Sequence, residues 1–191
     1  MEEEQREQKI ERAIHELLDA LEISKNTEAY KNTPRRIARM YIEIFSGLYR
    51  NDDVSKITLF KNPGYRDILC LKNIPFYSMC IHHFLPMFGY VSVAYIPDKK
   101  IVGLSKIPRI VKHFASRPQV QEEFTKDIAD YFNDKLEAKG VLVMIKARHM
   151  CMEMRGAKSH GVETVTSAIR GLFETNPNTK DEALKIILNQ Q

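Results

Sequence analysis

Ile10, Ile14, Leu17 and Leu21 recur at helical intervals, and the polar residues between them predict a first amphipathic helix over residues 6–22. A second helix is punctuated by Thr33 as N-cap and Pro34 as its first residue. It sets Ile37, Tyr41, Ile44 and Leu48 on one face, Arg36, Arg39 and Glu43 on another, and Gly47 near its stop. After Asn51 the texture turns β-like, with strands expected at 56–61, about 67–72 and 88–96, and a short return at 101–104 across the turn Pro97–Lys100. Ser105 then stands where an N-cap belongs, and Ile107, Ile110, Val111 and Phe114 form the apolar side of a helix that carries Lys106 and Arg109 elsewhere. The next helix begins near Pro118, turns Val120, Phe124, Ile128 and Phe132 or Tyr131 inward, and ends at Lys139 and Gly140. Strand character returns at 141–151 and 162–171, and Thr179 with Glu182 makes a capping box for a last short helix.

With 191 residues the chain is long enough to bury a core as one domain with helical additions. No apolar run approaches the roughly 18 residues of a membrane span. Met1–Gln8 is acidic and polar where a secretory leader is basic and then apolar, so the expected location is cytoplasmic. The net charge of +4 says little by itself. Its distribution excludes a polybasic arm or an aromatic-plus-basic strand for nucleic acid. A small polyanion is a better match for cations gathered near element ends.

Candidate chemistry sits in a split set: Cys80, Ile81, His82 and His83 in one segment, and His149, Met150 and Cys151 in another. Two of the three cysteines and up to three of the six histidines fall in these segments. A Cys/His mixture of this kind suits tetrahedral Zn²⁺, and three firm ligands leave a fourth position open, the mark of a catalytic site. In a strand, Val141, Val143, Ile145 and Ala147 share parity with His149 and Cys151, so all of them point to one face. The plain alternative for that pair is a buried free cysteine beside a hydrogen-bonded histidine. Three cysteines cannot pair fully, and Cys70, within Ile68–Leu71, reads as a small buried hydrophobe.

Longer segments carry a resemblance. YSMCIHHF (77–84), VGLSKIPR (102–109), RPQVQE (117–122) and RHMCMEMRG (148–156), together with TPRRIARM (33–40) and IFSGL (44–48), are in order and similar to GTP cyclohydrolase I. The match covers most of the chain, from about residue 10 to 187. Within it, this sequence carries Ile81 where the family has Glu, and residues 157–163 depart from the family wording.

The resemblance implies an α+β tunnelling fold, an antiparallel four-stranded sheet with two helices packed on one side plus N-terminal helices. It divides the chain into an N-terminal helical extension, 1–50, and a catalytic domain, 51–191. It also implies a homodecamer with active sites at subunit interfaces. Cys80, His83 and Cys151 become zinc ligands, and His82 and His149 become the general acid/base groups. Glu122 accepts hydrogen bonds from the purine edge, with Gln121 in support, and Ser105, Lys106 and Arg109 form a helix N-terminus for the triphosphate. Arg36, Arg39 and Arg155 match further phosphate contacts.

The implied reaction is attack of metal-activated water on purine C8 of GTP, loss of formate, and closure to 7,8-dihydroneopterin triphosphate. The alternatives are a specialised relative that acts on a purine nucleotide but stops early, motivated by Ile81, or a non-catalytic zinc nucleotide-binding subunit.

Overall fold

A computed structural model of the chain describes residues 1–50 and 57–189 and divides it into two compact units, Met1–Tyr49 and Arg50–Gln191. Lys56, the first residue of one expected strand, lies outside the described residues. Among the described residues no helix is long and apolar enough to cross a membrane.

The first unit is a pair of helices, α1 (Glu2–Ala20) and α2 (Glu28–Ile44). α1 starts earlier than its apolar pattern because Glu2, Glu3 and Glu4 fill the first turn, where carboxylates complement the helix dipole. Ile14 is buried, whereas Leu17 and Leu21 are exposed, so the buried stripe is narrower than the sequence predicts. α2 also starts earlier. Its cap is Thr27, whose Oγ1 accepts from the Tyr30 N–H at 3.1 Å, and Pro34 is buried inside the helix. The expected cap at Thr33 is thus corrected: a hydroxyl seven residues before Pro34 already satisfies a free N–H of the first turn.

The second unit is an α+β arrangement. Its strands are β1 (Leu59–Lys61), β2 (Leu69–Cys80), β3 (Pro86–Ile96), β4 (Lys100–Val102), β5 (Pro118–Gln119), β6 (Gly140–His149) and β7 (Thr164–Gly171). Its helices are α3 (Lys106–Ala115), α4 (Gln121–Leu136), the single turns α5 (Met150–Glu153) and α6 (Leu172–Thr175), and α7 (Pro177–Leu188). The main sheet has the order β5-β2-β3-β6-β7, with β2, β3, β6 and β7 antiparallel and the two-residue β5 added in parallel.

Three strand expectations change. β2 runs on through residues 73–80, because a register shift between Leu71 and Ile74, with Asn73 at φ 57°, absorbs the polar residues that read as a strand end. β4 does not fold back on β3; it pairs with β1 in a separate two-stranded sheet, Leu59 opposite Val102. β6 stops at His149, two residues short of its expected end.

The core lies between the sheet and α3 with α4. Val91, Val93, Tyr95, Val141, Val143 and Ile145 alternate onto one face and meet Ile107, Ile110, Phe124, Ile128 and Phe132, all fully buried. α7 covers part of the opposite face, where Ala94, Ile96, Leu142 and Met144 meet Phe173, Ala183 and Ile187. Its cap is Asn176, which accepts from the Thr179 N–H at 3.2 Å, so the expected capping box at Thr179 lies inside the helix. Cys70 packs beside this second cluster, and burial pushes its thiol up to about 11, as expected of an inert hydrophobe.

Gly89 sits on β3 opposite Ala147, and a Cβ there would collide with the main-chain carbonyl of Lys146. Gly89→Ala is expected to push β3 from β6 and lower stability by about 3 kcal/mol. A chemical denaturation curve superimposable on that of the wild type would contradict this close approach.

Candidate metal centre

β2 and β6 both pair antiparallel with β3, so they run in the same direction and finish at the same end of the sheet. Two strand spacings, about 10 Å, separate their backbones there. Each then turns toward the other. After Cys80 the chain makes a tight turn in which the Cys80 carbonyl accepts from the N–H groups of His83 (3.4 Å) and Phe84 (2.9 Å), while Cys80 N–H donates to Leu85 O at 2.9 Å. Phe84 closes the turn at φ 51°, a left-handed conformation costly for an aromatic residue and held by those bonds. Beyond His149, α5 carries Cys151 inward on a helical turn, which corrects the expectation that it extends the strand.

The result is convergence. The ligand atoms of Cys80, His83 and Cys151 all lie within 4.8 Å of one another, and Cys80 Sγ is 3.9 Å from His83 Nδ1. Tetrahedral zinc with bonds of about 2.0–2.3 Å sets neighbouring ligands about 3.6–3.8 Å apart, so a small closure completes the set. His82 Nδ1 is 4.0 Å from the same sulfur. Cys80 is buried, Cys151 half-buried and His83 exposed, which leaves one side of the cluster open. Burial, followed by the adjacent Cys80 sulfur, pushes the Cys151 thiol up. An ion taken up here must displace that proton, so its affinity rises with pH.

The other ring nitrogen of His83, Nε2, is 3.0 Å from Arg155 Nη1. A guanidinium only donates, so Nε2 accepts and the ring proton sits on Nδ1, toward the Cys80 sulfur.

His149 ends β6 half-buried, its Nε2 2.8 Å from Oε1 of the buried Gln121. Burial lowers its pKa below the ordinary 6.5, against an opposing pull from the Glu122 carboxylate. Next to it, Arg148 grips Glu153 with a two-pronged contact, Nε to Oε1 at 2.7 Å and Nη2 to Oε2 at 2.5 Å. Glu153 is only 4 % exposed. Arg148 first of all, and then the Gly161 N–H, hold its carboxyl below the usual carboxylate range. This fork closes the turn that presents Cys151. Nothing in the sequence points to this pair, because a spacing of five residues across a strand end matches no helix or strand pairing rule.

The remaining expected site residues lie on other elements. Glu122 is exposed in the first turn of α4 and lines a cleft of about 460 Å³ with Thr166 and Ser167. Ser105 precedes α3 but makes no side-chain cap bond. The N–H groups of Lys106 and Ile107 are already bonded to Gly103 O and Leu104 O, and Pro108 has none. The expected free backbone donors are therefore largely used, and an anion here must be held by the side chains of Lys106 and the exposed Arg109. Arg36 and Arg39 are exposed on α2, where Arg39 Nε contacts Glu7 Oε1 at 3.0 Å. A larger cleft of about 820 Å³, which includes Lys72, Tyr90 and Lys146, contains none of the expected site residues.

Comparison with known proteins identifies the family. The profile of the family GTP cyclohydrolase I matches residues 10–188. The chain is 47 % identical to GTP cyclohydrolase 1 of Carboxydothermus hydrogenoformans over 96 % of its own length and 95 % of the relative's. It is 48 % identical to those of Pelotomaculum thermopropionicum, covering 95 % of this chain and 97 % of that one, and of Aquifex aeolicus, covering 94 % and 96 %. A looser structural likeness, TM-score 0.47 at 22 % identity over 58 % of this chain and 97 % of the other, is to the archaeosine synthase QueF-Like in the apo form.

If the Arg148–Glu153 fork sets the Cys151 turn, Glu153→Gln will keep the far-UV circular dichroism of the wild type yet lose roughly tenfold in Zn²⁺ affinity, measured by chelator competition. Undiminished affinity in a folded variant would remove the fork from the metal centre.

Proposed function

The chain belongs to the GTP cyclohydrolase I family, and from that premise we propose that Cys80, His83 and Cys151 hold one Zn²⁺ beside which GTP is opened. The protein is an enzyme that converts GTP to 7,8-dihydroneopterin triphosphate with release of formate. The observation that carries the zinc reading is the approach of two thiols and an imidazole from opposite sides of β3, with one side left open. Zinc, when bound, supplies the Lewis acidity that makes a hydroxide available near neutral pH.

The chain's own residues do the rest. Arg155, 3.0 Å from His83 Nε2, would stand beside an ion held by Cys80, His83 and Cys151 and offer its guanidinium to a phosphate oxygen. Lys106 and Arg109 add cationic side chains for the triphosphate, and Arg36 and Arg39 are further candidates. Ser105 directly precedes Lys106, and its hydroxyl makes no cap bond. Glu122 offers two acceptor oxygens to the purine N1–H and 2-amino group. His149, half-buried and neutral at physiological pH, is suited to take a proton as the imidazole ring of the purine opens, and exposed His82 to exchange one with solvent.

The antiparallel β2-β3-β6-β7 sheet with α3 and α4 on one face supports assignment to the tunnelling fold. In this reading residues 1–50 form a helical extension and 51–191 the catalytic domain. Assembly into a homodecamer with interfacial active sites completes it, and a cytoplasmic location suits a nucleotide substrate.

Incubating zinc-loaded protein with GTP tests the whole reading, with formate and oxidised-pterin fluorescence followed together. Both products are expected in equal amounts. Cys151→Ala should lose the metal and both products. His149→Ala should retain the metal and lose product; loss of metal in both variants would refute separate roles. Because burial depresses the His149 pKa, the acid limb of kcat is expected below pH 6.5, and a limb above it would rule out His149 as the base.

A further inference from the structure

The contacts of Gln121 determine a proton position that X–H geometry alone leaves open. Gln121 is 2 % exposed, and its Nε2 lies 3.2 Å from Ile145 O, 3.0 Å from Thr164 O and 3.0 Å from Thr166 Oγ1. Two of these partners are main-chain carbonyls, which only accept. Turning the amide about would therefore set oxygen against oxygen in a buried site. The threonines agree in direction. Thr125 Oγ1 donates to Gln121 O at 2.7 Å, so Thr166 Oγ1, 2.6 Å away, must give its own proton to Thr125 and accept from Gln121.

The amide oxygen is thus fixed as the atom that faces His149 Nε2 at 2.8 Å, and an amide oxygen accepts. We propose that Gln121 is a positioning residue which holds neutral His149 as its Nε2–H tautomer and leaves Nδ1 as the acceptor atom of the ring. With both amide protons committed and almost no exposed surface, the Gln121 side chain is unavailable to the purine. Any part it takes in base recognition falls to its backbone. The proposal rests on the reading of His149 as the proton carrier only for its kinetic consequence; the tautomer stands independently of it.

Magic-angle-spinning NMR of the zinc-loaded, ¹⁵N-histidine-labelled full chain tests it, with the His149 signals identified by their loss in His149→Asn. The wild type is expected to show a protonated Nε2 and an unprotonated Nδ1 for neutral His149. In Gln121→Met, similar in length but without the amide, the tautomers are expected to mix. Its kcat should fall roughly tenfold or more, up to the 10²–10⁴-fold that a positioned acid/base supplies, while KM for GTP changes little. A wild-type His149 protonated at Nδ1, or an unchanged tautomer in Gln121→Met, would overturn the proposal. Full turnover by His149→Ala with the Nε2–H tautomer intact in the wild type would instead sink the catalytic reading of His149 and leave the tautomer assignment in place.

Discussion

The position of β3 between β2 and β6 is the constraint on which the candidate metal centre depends. Because both neighbours run antiparallel to β3, the strand that ends at Cys80 and the strand that ends at His149 stop on one edge of one sheet. Residues about seventy positions apart in sequence are thereby brought within two strand spacings, and two short turns close the gap. The tight packing that secures this register, with Met87 fully buried opposite His149 and Gly89 against the Lys146 carbonyl, is therefore part of the site as much as of the core.

Around that junction the polar groups are arranged by direction as well as by distance. Arg148 and Glu153 brace the turn of Cys151 from the strand side. Gln121, anchored by Thr125, Thr166 and two carbonyls, fixes His149 from the helix side. In the proposed reading Cys151 is a ligand and His149 a proton carrier, and each has its own buried support. That separation lets adjacent residues on one short segment serve different chemistry.

Much of this was legible in the sequence where a local pattern carried it. The alternation Val141, Val143, Ile145 placed β6 on the core, the spacing of Phe124, Ile128 and Phe132 gave the buried face of α4, and the Cys/His segments marked the centre. Element ends were harder to read, because capping is settled by which side chain reaches a free N–H first: Thr27 rather than Thr33, Asn176 rather than Thr179. The continuation of β2 past Asn73 depended on a bulge whose stability comes from pairing with β3. The roles of Glu153 and Gln121 came from partners on other elements or across a strand end, which no period of 2 or 3.6 encodes. At α3, Pro108 and the two turn bonds reduce the backbone anion site suggested by Ser105, Lys106 and Arg109 to its side chains.

X-ray absorption at the zinc edge, recorded on the loaded enzyme without GTP, tests the central claim most directly. Cys80, His83 and Cys151 with one exchangeable oxygen predict two sulfur scatterers at about 2.3 Å and two nitrogen or oxygen scatterers at about 2.0–2.1 Å. A shell with a single sulfur, or with none, would contradict the convergence of the two strand ends on one ion.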